Sequence, residues 1–217
     1  MTTAATFYFD LGSPYAYLAA ERLHELFAEP VSLQPISLGG LFKLAGRSSW
    51  SLGDPARRRE GMAEVERRAL AYGLPPVRWP DPWPGNYLMA MRAATFAARA
   101  GHVREFMTHA FRAAFQHGHD LSVPERVLDA AREAGLDPRA VDEATRDPEV
   151  KLALREATDA AHQLGVFGVP TVAIGVPTVA IGVPTVAIGV PTVAIAAQLW
   201  WGDDRLEEAA AARSLAG

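Results

Sequence analysis

Apolar positions change rhythm three times along this chain of 217 residues. Residues 6–10, TFYFD, form a short aromatic run that reads as a strand. It ends in Leu11-Gly12-Ser13-Pro14. There Ser13 suits a helix N-cap, and Pro14 suits the first helical position, where its missing N–H is no loss. Over 15–28, Leu18, Leu23, Leu26 and Phe27 recur at helical spacing. Residues 31–36 return to strand character, and Pro35 points to an edge or a bend. From about residue 39 to 165 the rhythm is helical. The expected helices are 55–72, 86–100, 103–116, 124–134, 138–145 and 148–164. Leu88, Met91, Ala94, Thr95 and Ala98 share one face of the second, and Gly101, Gly135 and Gly165 act as C-terminal stops. Residues 73–76 and 79–84, rich in Gly and Pro, are loops. Strand character returns in each Thr-Val-Ala-Ile and at 198–201, and 203–215 closes as a helix with Asp203 or Asp204 near its start. The order is a βαβ unit and a ββα unit split by helices, an α/β sandwich.

One heptapeptide, GVPTVAI, occurs four times without change over 168–195. The first copy keeps the upstream Gly165-Val166-Phe167, and the fourth keeps the link through Ala196-Ala197 to Gln198. The expected reading is a passive expansion, because loop length costs only roughly 0.6 kcal/mol per doubling. The alternatives are competition of near-equivalent strands for one slot, an added functional element, or a membrane segment. No Asp, Glu, Lys or Arg occurs between Asp159 and Asp203, but a proline every seventh residue breaks any spanning helix.

The net charge of -4 gives no reason to expect nucleic acid or a membrane as partner. Arg58, Arg59, Arg67 and Arg68 stand among Glu60, Glu64 and Glu66, which reads as a solvated helix face. The chain has no cysteine, so disulfides, thiolate metal sites and a cysteine nucleophile are excluded. His117 and His119 alternate in a Gly-containing loop with poor metal-ligand spacing, and no metal is expected. MTTAATFYFD has no basic region followed by an apolar stretch, so no secretion signal is expected and the cytoplasm is the default.

Three features carry candidate chemistry. Ser13 is either a plain cap or a hydroxyl that donates to an incoming thiolate where free N–H groups and the helix dipole already favour negative charge. A proline between a helix and a strand, as in GVPT, is either an ordinary turn or a cis proline that frees the preceding backbone for an extended ligand. Asp203 and Asp204 are either helix caps or partners for a ligand's ammonium group.

These features occur together in TFYFDLGSPYAYLA at 6–19, NYLMAMRA at 86–93, GVFGVPT at 165–171 and LWWGDDRL at 199–206. In them the chain resembles the 2-hydroxychromene-2-carboxylate isomerases, a branch of the DsbA-like thioredoxin superfamily close to kappa-class glutathione transferases. The resemblance implies a thioredoxin-like fold interrupted by a large all-helical insertion domain. It divides the chain into 1–38 with 165–217, and 39–164. It also implies glutathione. Where redox relatives have C-x-x-C, this chain has Ser13-Pro14-Tyr15-Ala16, which excludes thiol–disulfide exchange. Carried over, Ser13 is the catalytic serine, the residue before the cis proline pairs with the cysteinyl unit, and Asp203 and Asp204 bind the γ-glutamyl end. Tyr15 walls the pocket, and Asn86 and Arg92 lie towards a small aromatic-derived substrate. Relatives often carry Asn after the LGGLFK-type stretch; here Arg47 follows Gly46, which puts glycyl-end contacts from that loop in doubt.

The identical copies leave two candidates for the proline pair. Val169 and Pro170 serve if the insertion follows the strand, Val190 and Pro191 if it precedes it. Phe167-Gly168 favours the first. The implied activity is isomerisation through reversible thiol addition. The alternatives are a kappa-like glutathione transferase and an inactive thioredoxin-fold binding protein. Relatives also imply a homodimer.

Overall fold

The computed structural model describes residues 4–175 and 198–215. Strands β1 (Ala5–Phe9), β2 (Ser32–Pro35), β3 (Thr171–Ile174) and β4 (Gln198–Trp201) form one sheet in the order β2-β1-β3-β4. β1 and β2 are parallel across α1 (Pro14–Leu26), while β3 runs antiparallel to both β1 and β4. The helical block between β2 and β3 holds α2 (Leu38–Leu44), α3 (Pro55–Ala71), α4 (Leu88–Arg99), α5 (Val103–Phe115), α6 (Pro124–Glu133), α7 (Pro138–Arg146) and α8 (Pro148–Gln163). After β4 come a 3-10 turn (Asp203–Arg205) and α9 (Leu206–Leu215). This is the thioredoxin-like α/β order with inserted helices that the sequence predicts.

Local chemistry explains most boundaries. α1, α3, α6, α7 and α8 open on proline, as their sequences require. Gly101 and Gly135 take φ of 79° and 78° just past α4 and α6, a region where a Cβ would be strained. Pro35 lies on β2, an edge of the sheet, where a missing donor does no harm. Two details differ from expectation. LGGLFKL forms a separate helix despite its glycines, because the Ser37 hydroxyl caps Gly40 N–H at 3.1 Å and Leu41 is buried. The last helix begins at Leu206 rather than 203, because Gly202 at φ 116° turns the chain into a 3-10 step first.

β1 alternates its side chains between two cores. Phe7 and Phe9 enter the larger one with Tyr17 of α1 and Phe111 of α5. Tyr8 faces the smaller one with Ile36, Leu41, Ala161 and Ala173. Each fully buried phenylalanine contributes roughly 1.5–3 kcal/mol. The larger core runs on into Phe106, Val127 and Val141, so the sheet and the helical block share one apolar interior. α2, which starts at Leu38, and α8, within 39–164, bring Leu41 and Ala161 to the second face of the sheet.

The first heptapeptide copy supplies β3 and is hydrogen-bonded on both sides, to β1 and β4. Residues 176–197 lie outside the described residues. So do Val190 and Pro191, together with the choice between passive and disruptive readings of the extra copies.

Candidate active site

The site starts where β1 turns into α1. Ser13, at φ -95° and ψ 113°, caps α1 by accepting from Ala16 N–H at 3.2 Å. Its backbone N–H donates to Asp10 C=O at 3.0 Å, which closes the turn. The same hydroxyl donates to Val169 C=O at 3.3 Å, across 156 residues of chain. Ser13 therefore links the first turn of α1 to the segment entering β3, and it is only 4% exposed.

The Val169–Pro170 peptide is cis. Thr171 Oγ1 donates to Gly168 C=O at 2.7 Å and Gly202 N–H donates to Pro170 C=O at 3.1 Å, so both flanks of the loop are held. Val169 N–H has no backbone partner among the described residues. Ser13, Val169 and Pro170 are thus brought together. The Asp81–Pro82 and Trp83–Pro84 peptides are cis as well, in the expected loop 79–84.

Beneath Ser13 lies a carboxyl that the sequence reading did not single out. Asp10 accepts from Gly12 N–H at 2.8 Å and from Leu38 N–H at 2.7 Å. It thereby ties the Ser13 turn to the start of α2. Burial pushes its pKa from 3.8 up to about 6, against the opposing pull of those two bonds. A raised carboxyl contributes stability that is full below about pH 4 and lost as pH rises through about 6. Relative to Asp10→Asn, the parent is expected to lose on the order of 2–3 kcal/mol of unfolding free energy over that range. Urea unfolding at pH 4 and 7 measures this; a pH-independent difference between the two proteins refutes it.

Gly12 completes the turn. A Cβ there would lie 2.6 Å from Cδ2 of Tyr87, a buried ring. Gly12→Ala is therefore expected to destabilise the chain by about 1–3 kcal/mol, readable as a lower melting temperature. An unchanged melt would mean that Tyr87 yields freely.

The two aspartates of the last turn have different surroundings. Asp203 is 1% exposed; its Oδ1 accepts from Arg68 at 2.9 Å and its Oδ2 from the Tyr72 hydroxyl at 3.0 Å. Arg22 also donates to its carbonyl at 3.1 Å. Burial raises the Asp203 pKa and Arg68 opposes the rise. Asp204 is exposed, with Oδ2 3.6 Å from Arg68. Of the two residues expected to bind a ligand's ammonium group, Asp203 has each oxygen bonded to α3, and Asp204 is the accessible carboxylate. Arg68 departs from the sequence reading. It is not part of a solvated face but bridges α3 to Asp203, and its guanidinium stands 5.6 Å over the Tyr15 ring. Tyr15 also packs edge-on against Trp50 at 6.2 Å.

Comparisons with known proteins agree with this fold. Residues 5–212 match the DSBA-like thioredoxin domain. The chain belongs to the DSBA-like thioredoxin family. It is 27% identical over 213 residues to a 2-hydroxychromene-2-carboxylate isomerase of Sphingobium xenophagum, covering 95% of this chain and 96% of that one. The fold is similar to that of a solved 2-hydroxychromene-2-carboxylate isomerase, with TM-score 0.76, 21% identity and coverage of 98% and 95%. It is also similar to the cytosolic disulfide reductase DsbM of Pseudomonas aeruginosa solved with GSH, with TM-score 0.57, 16% identity and coverage of 98% and 96%.

Within this DSBA-like chain the absence of cysteine leaves Ser13 at the head of α1. Thiol–disulfide exchange has no sulfur of the protein's own to use. Asn86 and Arg92 lie on the approach to α4 and on α4 itself. Asn86 is exposed and its Oδ1 accepts from Leu88 N–H at 3.2 Å; Arg92 reaches Thr145 C=O at 3.5 Å. Neither is hydrogen-bonded to the Ser13 turn; α4 reaches that turn through Met91, whose Sδ accepts from Leu11 N–H at 3.2 Å, and its N-cap Tyr87 packs against Gly12. The residues missed from sequence are Asp10, Arg68 and Tyr72. Asp10 carried one signal, a carboxylate closing an apolar strand. Arg68 and Tyr72 carried none.

Proposed function

We propose that the chain is a glutathione-dependent isomerase of 2-hydroxychromene-2-carboxylate type. The observation that carries this reading is Ser13, whose hydroxyl sits at the α1 N-terminus within 3.3 Å of the Val169 carbonyl. The surrounding groups fit a thiol tripeptide. A thiolate at the helix start meets the positive end of the α1 dipole. To donate to it, the Ser13 hydroxyl gives up the bond to Val169 C=O, its present acceptor. The Val169 N–H would pair with the cysteinyl backbone beside Pro170, and Asp204 would take the γ-glutamyl ammonium. Asp203 serves by holding the last turn in place through Arg68 and Tyr72. Tyr15 closes the wall, and Asn86 and Arg92 remain on the substrate side.

Bound glutathione would supply the nucleophilic sulfur whose reversible addition to the conjugated substrate permits bond rotation. The chain's part is to keep that sulfur ionised and to exclude water from it. The named relative supports the isomerase half of the reading; the basis for glutathione is the fit of these groups and the GSH-bound neighbour.

The test is isomerisation of 2-hydroxychromene-2-carboxylate with and without glutathione, and with S-methylglutathione as competitor. Turnover is expected only with glutathione, and S-methylglutathione, which lacks a nucleophilic thiol, is expected to inhibit. Turnover that survives removal of glutathione defeats the proposal. A stable conjugate with an electrophilic acceptor, without isomerisation, reassigns the chain as a transferase.

A further inference from the structure

We propose that a second cleft, between α2, α4 and α8, binds the anionic group of an aromatic organic acid, with Lys151 and Arg155 of α8 as its specificity residues. It rests on the isomerase reading in taking that acid as substrate, and it goes further in assigning the acid's recognition to α8. The cleft has a volume of about 630 Å³, a size that holds a small organic ligand. Its walls are apolar where Leu44, Leu88 and Leu154 face it.

Charge singles the cleft out. Lys43, Arg92, Lys151 and Arg155 line it against one carboxylate, Asp159, in a chain whose net charge is -4. These cations are little used by the fold. The ammonium groups of Lys43 and Lys151 have no hydrogen-bond or ion-pair partner among the described residues. Arg155 lies 3.8 Å from Asp159, and Arg92 makes one long bond to the Thr145 carbonyl. Lys151 and Arg155 are four residues apart on α8 and so share a face. Like charges gathered over an apolar floor repel one another until an anion joins them. An apolar body against the leucines, with a carboxylate towards the cations, satisfies both halves of the cleft.

The cleft also lies beside the Ser13 turn. Ser37 on its rim precedes Leu38, whose N–H is held by Asp10, and Asp10 holds Gly12 N–H in turn. Leu88 and Arg92 follow Tyr87, the residue packed on Gly12.

The experiment is calorimetric titration of the full chain with 2-naphthoate and with neutral 2-naphthamide, without glutathione, at low and at physiological salt. Naphthoate is expected to bind about tenfold more tightly than the amide, and less tightly as salt rises. Lys151→Ala with Arg155→Ala is expected to remove about tenfold of the naphthoate affinity and leave the amide unchanged. Both side chains are exposed, so melting should stay near that of the parent; Lys43→Ala, from the opposite wall, is the second variant. Equal affinity for acid and amide, or naphthoate binding unmoved in both variants, overturns the proposal. Glutathione binding is titrated separately on the same proteins, and its absence would defeat the isomerase reading while leaving the cleft result standing.

Discussion

Asp203→Ala lowers the unfolding free energy by about 3 kcal/mol, the low end of what breaking a buried ion pair removes. The carboxylate is 1% exposed and joins two distant elements: the turn before α9, and α3 through Arg68 and Tyr72. Its loss leaves the Tyr72 hydroxyl without its acceptor. Arg68 keeps Glu64 at 2.8 Å, and its side chain is 28% exposed, so part of its charge is re-solvated. That partial recovery places the effect at the low end. For a chain of this size, such a loss moves the melting temperature by roughly 6–12 °C. Asp203→Asn keeps the shape and one acceptor oxygen, and is expected to fall between the parent and Asp203→Ala. Asp204→Ala should leave urea unfolding almost unchanged and raise the KM for glutathione. The two aspartates are adjacent, so this split between stability and KM tests whether they do different work. A loss below about 1 kcal/mol for Asp203→Ala would show that the Arg68 pair contributes little, as exposed pairs do.

Removal of the Ser13 hydroxyl is expected to lower glutathione-dependent turnover about a hundredfold, the scale of one lost donor to a developing or bound anion. The difficulty is that Ser13 is also the N-cap of α1, and Ser13→Ala carries a capping loss of about 1 kcal/mol. Ser13→Gly separates the two effects, since glycine caps a helix at a cost of only a few tenths of a kcal/mol. Both variants should lose turnover alike and share the loss of the bond to Val169 C=O, and Ser13→Ala should melt earlier than Ser13→Gly by the difference in capping. The pH profile adds a readout that a structural role would not move. Without the donor the bound thiol is harder to ionise, so the acidic limb of the rate profile shifts to higher pH. Full activity in Ser13→Gly with an unmoved limb would assign thiolate stabilisation to the helix terminus alone.

Much of this fold could be read from short-range patterns. The aromatic run that makes β1, the prolines that open five helices and the glycines that close several helices are all local. The two readings of Ser13, cap or thiolate donor, were accessible for the same reason, because cap, turn and helix start lie within a few residues, and the family resemblance favoured the second. Arg68 shows where such patterns stop. In sequence it is one of five arginines on α3 that stand among glutamates, and helical spacing sets it beside Glu64, which it does contact at 2.8 Å. Its second partner, Asp203, is 135 residues away, and nothing in either neighbourhood announces the other. Asp10 is similar: its bond to Gly12 is local, but its bond to Leu38 depends on the parallel pairing of β1 with β2.

The repeat draws the same line in its sharpest form. By itself the sequence determined that a GVPTVAI strand exists, that α1 begins at a capped proline turn, and that no cysteine can act, since each depends only on residue type and near neighbours. Local preference cannot choose among four identical copies. Tertiary structure seats the first of them between β1 and β4, bonds Ser13 to the carbonyl of Val169, and buries Asp203 while leaving Asp204 exposed. Each of those outcomes depends on partners far away in the chain, whose positions exist only once the sheet and the helical block have packed together.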